Sequence, residues 1–422
     1  MSKLESVHTE SKIEMTQSEI YNIVFALLRS ALWGEEAFPF TSEQEIDWTA
    51  VNKELSIQTV QILPVDILVK ADPAHSQLYL QNTAKSIRSW YHLMQEQQNL
   101  YQTFKKAGIP FTVLKGAGAD FYYPQPSYRR MGDIDFIVRP GDFDKAVQLM
   151  ADNGYNALDM NDSRHKEYTK NGVLVEMHRF FSVLADSEAG KWLDQRILDS
   201  LDSIPEQSID GFVFPMLPTL ENGLVLLCHI NQHMENGLGL RQITDWMLYV
   251  KKELNDDYWN STFADAAEKI GLKTLAITVT KMCQMYLGLG KDITWCQNAN
   301  PDLCERLMEY IMDQGNFGRK RSHGSNTAMN TFAIRNVKVL FNMLQQRGLV
   351  NFKACHKYSF LRPFAWIYQT FRYIHLALIR EQPLKQLKEE YSQSSARDEL
   401  LNGLGVVRRA KGFTAPDGTH FQ

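Results

Sequence analysis

Asp133-Ile-Asp135 sets two carboxylates two residues apart at the head of an apolar run. In a strand, period-two alternation sends both acids to one face and Ile134 into the core. Like charges a few ångströms apart repel and raise one of the two pKa values unless a cation intervenes, and a divalent metal is the usual resolution. The pair therefore reads as a candidate Mg²⁺ (or Mn²⁺) site, with solvated loop acids as the bland alternative. Glu176 stands inside the apolar run Val173-Leu-Val-Glu-Met177, an expensive place for an acid unless it is paired or metal-bound. If its strand neighbours that of Asp135, three carboxylates converge, and Asp133, Asp135 and Glu176 become the candidate catalytic residues and metal ligands.

Phosphate chemistry needs cations and backbone donors nearby. Lys115-Gly116 follows an apolar run and opens a segment expected to be helical, where N–H groups and the helix dipole attract phosphate. Arg129 and Arg130, just ahead of Gly132, offer paired donors to a polyphosphate. His178 shares a strand face with Glu176 and either orients it, touches substrate or is structural. His165 faces the same surface if a hairpin register permits. His229 and His233 stand one helical turn apart, the spacing of zinc-binding helices, but no Glu follows the first His as in a metalloprotease. With Asp245, and Arg241 one turn before it, they read as a buried polar clamp, a metal or base contact being the alternative.

Two further patterns have bland readings. Arg319-Lys-Arg321-Ser-His323 reads as a solvated loop rather than a grip on an anionic acceptor. The stripe of Phe364, Ile367, Phe371, Ile374 and Leu378 reads as core packing rather than a docking face.

These residues need elements to position them. Ile20, Ile23, Val24 and Leu27 recur at the spacing of a helix face, and residues 78–106 sustain an amphipathic pattern with neither Gly nor Pro. Gly108 ends that helix and Pro110 begins a strand over 111–114. A second strand, Ile134–Val138, lies between Gly132 and Pro140-Gly141, and Asp142 is expected to cap a helix over Phe143–Asp152. His165–Lys170 and Val173–His178 flank Asn171-Gly172, the preferred two-residue hairpin turn. One sheet of about four strands results. From Leu217 the helical pattern runs to about residue 393, with loops at 236–239, 288–291 and 315–327. The expected class is α+β: a helical cap (1–107), an α/β core with a small mixed sheet (108–215), a large helical region (216–395) and a flexible tail (396–422) holding Arg408, Arg409 and Lys411.

Composition narrows the function classes. The 422 residues include 45 Lys plus Arg against 49 Asp plus Glu, and a net charge of -4 gives no global field for a bulk nucleic-acid coat. The longest apolar run, Ile23 to Leu28, falls far short of the ~18 residues a transmembrane segment needs. The polar N-terminus has no signal-peptide core, so a soluble, cytoplasmic protein is expected. Five cysteines without a CxxC pair argue for reduced thiols.

Leu114-Lys-Gly116, Tyr123-Pro124, Arg129-x-x-Gly-Asp-Ile-Asp135-Phe-Ile-Val138 and Val175-Glu-Met-His178 together resemble the nucleotidyltransferase superfamily of DNA polymerase β type, and within it a bacterial branch of largely uncharacterised nucleotidyltransferase-family proteins. That pattern is a Gly followed by Gly or Ser at a strand–helix turn, a D-x-[DE] on the next strand and a third acid later. Gly116, Asp133, Asp135 and Glu176 occupy those positions. Ala117 replaces the usual Gly or Ser, and the gap from turn to acids is longer than usual. The likeness is most specific over 111–180 and looser through His229, Asp245 and Gly315-Asn-Phe-Gly318.

The resemblance implies transfer of a nucleoside monophosphate from an NTP, ATP first, to an acceptor that is a small molecule or a macromolecule, with release of pyrophosphate. Asp133 and Asp135 would hold one or two Mg²⁺ (or Mn²⁺). Glu176 would complete the acceptor-side site or take the acceptor's proton, and Lys115, the Gly116 backbone and Arg129 would orient the polyphosphate. The alternatives are an inactive NTP-binding regulatory or scaffolding protein, or a toxin–antitoxin-like enzyme that modifies a protein or tRNA.

Overall fold

The chain begins with helices whose starts and stops follow local chemistry. In α1 (Gln17–Trp33), the Thr16 hydroxyl accepts from the Glu19 N–H while the Glu19 carboxylate accepts from the Thr16 N–H, and left-handed Gly34 ends the helix. After α2 (Trp48–Ile57) and α3 (Val65–Ala71) comes α4 (Ser76–Lys106), 31 residues long. Its buried residues include Trp90, Leu93, Met94, Gln97, Leu100 and Phe104, a stripe at three- and four-residue spacing. Each buried Leu or Phe contributes roughly 1.5–3 kcal/mol, so packing of this stripe holds the helix in place.

These features come from a computed structural model that describes residues 15–34, 45–158, 164–181, 188–320, 341, 344–345, 348–349, 351–379, 396–406, 413–414 and 420–421. Met1–Lys320 with Leu404–Gln422 form one compact unit, and Arg321–Gly403 a second.

The first unit holds a five-stranded sheet of β1 (Phe111–Val113), β2 (Ile134–Val138), β3 (Asn156–Ala157), β4 (His165–Lys170) and β5 (Val173–His178). Their order is β1-β2-β5-β4-β3, and β2 runs parallel to β5 while the other pairs are antiparallel. The mixed sheet and the α+β class agree with the sequence reading. The strand beyond the expected four is the two-residue β3. Asn171 and Gly172 both take positive φ, +52° and +77°, as a tight hairpin turn requires. Val173, Val175 and Met177 are buried while Leu174, Glu176 and His178 are half-buried, the predicted alternation.

Phe104 of α4 meets Phe111 and Phe136 at ring-centroid distances of 5.2 and 5.3 Å. Phe136 and Asp135 are successive residues on β2, so α4 packs on the face opposite the one that carries Asp135.

Between β1 and β2 lies α5 (Ala117–Asp120), and after β2 comes α6 (Phe143–Asp152), which buries Phe143, Ala146 and Met150. Asp142 makes no capping bond, contrary to expectation. It closes a 3₁₀ turn over Pro140–Asp142 with helical backbone angles, whereas a cap residue is normally extended. Beyond α7 (Glu188–Ser200), a hairpin of β6 (Glu206–Ile209) and β7 (Phe212–Pro215) turns at Asp210-Gly211, a pairing the sequence reading missed.

Helices follow: α8 (Thr219–Asn236), α9 (Leu240–Glu253), α10 (Asp256–Tyr258), α11 (Ala264–Lys269), α12 (Lys273–Tyr286) and α13 (Pro301–Gln314). A Cβ on Gly223 would stand 2.3 Å from the Tyr249 hydroxyl oxygen, so glycine there permits the close approach of α8 to α9. Residues Phe413–Thr414 pair with His420–Phe421. The five cysteines are buried free thiols.

In the second unit, Ala365–Ile379 is helical and so are residues 396–403. Phe364 and Phe371 are 55% and 67% exposed, which corrects the core-packing expectation for these two. Arg321, His323, Arg408, Arg409, Lys411 and the side chains of Ile374 and Leu378 lie outside the described residues. No helix among the described residues is long and apolar enough to cross a membrane.

Candidate active site

Parallel pairing sets Asp135 opposite Glu176 and Ile137 opposite His178. Partners in register share a sheet face, so Asp135, Glu176 and His178 project together. His178 Nε2 lies 3.3 Å from Asp135 Oδ1 and 3.5 Å from Glu176 Oε2. Lys115, from the turn after β1, brings Nζ to 2.9 Å from Asp135 Oδ1 with its side chain 20% exposed. Asp133 directly precedes Ile134 and is half-buried. The His165 ring stacks on His178 with centroids 5.0 Å apart.

Glu167 is a further acid on this face, directly across from Glu176, with its side chain 16% exposed. The sequence reading passed over it. A two-residue Asn-Gly turn fixes the hairpin register, and that register places both Glu167 against Glu176 and His165 against His178.

Charge separates the roles of the two aspartates. Repulsion from Asp135, reinforced by burial, pushes Asp133 up to about 6, against the pull of Lys115 and Arg241. Burial alone would raise Asp135 as well, but Lys115 and His178 outweigh it and hold the carboxyl well below the usual range. Burial opposes charge on His178 too, yet its bonds to Asp135 and Glu176 raise its pKa. Lys115 is likewise raised, its burial outweighed by Asp135, Asp133 and Glu176.

The donor set is compatible with a divalent cation. One ligand atom from each of Asp135, Glu176 and His178 lies within 4.8 Å of the others. Mg²⁺ is commonly held by one or two carboxylates together with other oxygen donors, and Asp135 and Glu176 supply two such carboxylates beside the Lys115–Gly116 turn.

That turn is made by Gly116, whose φ of +53° and ψ of -111° suit glycine. The segment it opens, α5, has only four residues, and the N–H groups of Gly118, Ala119 and Asp120 already bond back to Lys115 and Gly116. A strong helix dipole at this turn, as the sequence suggested, is therefore absent.

Arg129 also departs from expectation. Its Nε and Nη2 bond the two oxygens of Asp245 at 2.6 and 2.8 Å, and Nη1 bonds Asp120 at 2.9 Å, all buried. With these donors committed inside the protein, Arg129 is a structural tie rather than a phosphate contact. Trp90 Nε1 reaches Asp120 at 2.8 Å and the Tyr123 hydroxyl reaches Asp245 at 2.7 Å. Burial pushes Asp120 up to about 6 despite Arg129. Asp245 thus belongs to the expected polar clamp, but its arginine is Arg129 and not Arg241. The Arg130 side chain is exposed, and its carbonyl accepts from Arg241 Nη1 at 3.2 Å.

His229 and His233 are buried with Nε2 atoms 3.0 Å apart. His233 Nδ1 lies 3.4 Å from the Gly237 carbonyl, so that nitrogen donates and His233 Nε2 accepts from His229. Burial pushes His233 down to about 4 and His229 well below its usual value, and the nearby charges of Lys115 and Arg241 act in the same direction. The pair is neutral and hydrogen-bonded. Arg319, an exposed residue, donates from Nη1 to the Ser56 carbonyl at 2.9 Å, and half-buried Lys320 pairs with Glu54 at 2.6 Å, so Lys320 braces the helices rather than lining a solvated loop.

A family model described as an uncharacterised nucleotidyltransferase matches residues 44–288. No curated protein matches this sequence. Among solved structures, the chain is similar to an antigenic nucleotidyltransferase-like protein from Paracoccidioides brasiliensis, with 15% identity and a TM-score of 0.31 over 47% of this chain and 92% of that one. It is also similar to a tRNA-processing enzyme in an apo form, with 12% identity and a TM-score of 0.23 over 74% of this chain and 90% of that one.

Proposed function

The chain belongs to the uncharacterised nucleotidyltransferase family, and from that premise we propose that it transfers a nucleoside monophosphate from an NTP, ATP first, to an acceptor hydroxyl or similar group and releases pyrophosphate. The observation that carries this reading is the register of β2 and β5, which sets Asp135 against Glu176 with Lys115 and His178 in contact.

Asp133, Asp135 and Glu176 would hold Mg²⁺ or Mn²⁺. When bound, the ion supplies positive charge that stabilises the leaving oxygen and aligns the phosphates. Asp135 stays ionised across the neutral range because Lys115 and His178 hold it so. His178 fixes the orientation of Asp135 and Glu176 from one imidazole edge. Glu176 would complete the acceptor-side ion site or take the acceptor's proton, and Lys115 with the Gly116 backbone would orient the polyphosphate for in-line attack.

A second reading rests on the 2.9 Å Lys115–Asp135 ion pair. An ammonium already seated on the acid can serve an NTP-binding regulatory or scaffolding protein that no longer turns over. Incubation with ATP labelled at the α- or the γ-phosphate, with and without Mg²⁺, separates the two. Transfer predicts Mg²⁺-dependent release of pyrophosphate that Asp135→Asn abolishes. Binding without pyrophosphate release supports the second reading, and movement of the γ-label to an acceptor contradicts both.

A further inference from the structure

Asp245 lies one helical turn beyond Arg241 on α9, a spacing at which Arg and Asp commonly pair. That pair is not made. Both Asp245 oxygens are taken by Arg129, and Tyr123 adds a third bond. Arg241 consequently faces no carboxylate at ion-pair distance among the described residues. Its one hydrogen bond there runs from Nη1 to the Arg130 carbonyl, and its Nε is buried without an acceptor.

The Arg130 carbonyl fixes where this guanidinium sits, because Arg130 stands three residues before Asp133 on the loop that enters β2. The charge of Arg241 is felt at Asp133 and at His229, as is that of Lys115. Two cations therefore act on Asp133, and Arg241 is held to the loop that leads into it. Lys115 is engaged by Asp135, while Arg241 is partly buried with its Nε donor unmet. A guanidinium in that condition favours an oxyanion offering several acceptors, which satisfies the donors and restores the charge balance lost on burial. A polyphosphate is such an anion.

We propose that Arg241 grips the β- and γ-phosphates of the bound nucleotide, and that the buried Arg129–Asp245 pair acts as a positioning device that keeps Arg241 from being captured by its own helix. This rests on the nucleotide reading above and adds to it the residue that distinguishes a triphosphate from a monophosphate.

The test is calorimetric binding of inorganic tripolyphosphate, ATP and AMP to the full chain, in Mg²⁺ and in EDTA, with folding of each variant checked by circular dichroism. Arg241→Gln is expected to weaken tripolyphosphate and ATP about 10- to 100-fold while AMP changes less than about twofold. Arg129→Met frees Asp245 to capture Arg241 and should weaken tripolyphosphate similarly, and Arg129→Met with Asp245→Asn should restore it. If Arg129→Met does not fold, Arg241→Gln decides alone. Undiminished tripolyphosphate binding by Arg241→Gln overturns the inference while ATP binding by the wild type leaves the nucleotide reading standing. A wild type that binds neither ATP nor tripolyphosphate overturns both.

Discussion

Arg129 meets both carboxylate oxygens of Asp245 side-on, at 2.6 and 2.8 Å, across 116 residues of sequence and with both residues at most 4% exposed. Through Asp120 and Trp90 the same guanidinium reaches α5 and α4. One cation thus ties the N-terminal helices, the turn beside the acids and α9 into a single support for the site.

Removing one partner strands the other in a buried place, and only Asp245 has a replacement within one helical turn, Arg241, which it can reach only by drawing that side chain from the Arg130 carbonyl. Arg129→Met or Asp245→Asn should cost about 3–5 kcal/mol, and the double variant less than the sum of the two. Urea unfolding of the four proteins measures this. Single losses below about 1 kcal/mol would show the pair to be incidental.

The neutral histidine pair gives stability a pH dependence of known sign. An unfolded histidine titrates near 6.5, while His233 is held at about 4 and His229 well below its usual value. Between these values the unfolded chain binds protons that the folded chain does not, so this contribution is complete above about pH 6.5 and fades as pH falls toward 4. Asp120 and Asp133, both raised to about 6, act oppositely in the same window, so a difference between variants is the quantity to measure. Between pH 7 and 4 the wild type should lose about 3 kcal/mol relative to His233→Gln. Parallel stability curves would contradict neutral burial of the pair.

Gly116→Ala tests the turn. The added Cβ has room, 3.4 Å from Met131 Sδ, so the penalty comes from the backbone angle and should be about 1–3 kcal/mol. Nucleotide affinity should fall with it. A thermal shift of zero would mean the turn relaxes freely.

The two aspartates should differ in stability although both are assigned to the same ion. Asp133→Asn relieves repulsion from Asp135 and should leave stability unchanged or higher at pH 7. Asp135→Asn deprives Lys115 and His178 of a shared partner and should lower it. Denaturant midpoints in metal-free buffer decide, and equal midpoints would contradict the charge assignment.

Much of this was legible locally. Alternating Val173, Val175 and Met177 after Asn171-Gly172 specify a hairpin though not its register, and Asp133-Ile-Asp135 before an apolar run specifies which face carries the acids. Asp210-Gly211 offered the same turn signal, but the flanking residues do not alternate, and β6–β7 went unseen. Long-range charge pairing left no local trace. Arg241 sits one turn from Asp245, so helical spacing favoured that pair, and only the folded chain brings Arg129 to Asp245 first. Asp120, an acid in the run Gly-Ala-Asp-Phe-Tyr-Tyr, was the one hint that a buried cation must lie nearby.

Anomalous diffraction from crystals grown with Mn²⁺ and a non-hydrolysable ATP analogue would reveal whether Asp133, Asp135 and Glu176 jointly receive a divalent ion beside a nucleotide's phosphates. A Mn²⁺ peak is expected at coordination distance from Asp135 and at least one of Asp133 and Glu176, in contact with the phosphates. Bound nucleotide with no Mn²⁺ at Asp135, the Lys115 ammonium remaining on that acid, would contradict this shared ion site.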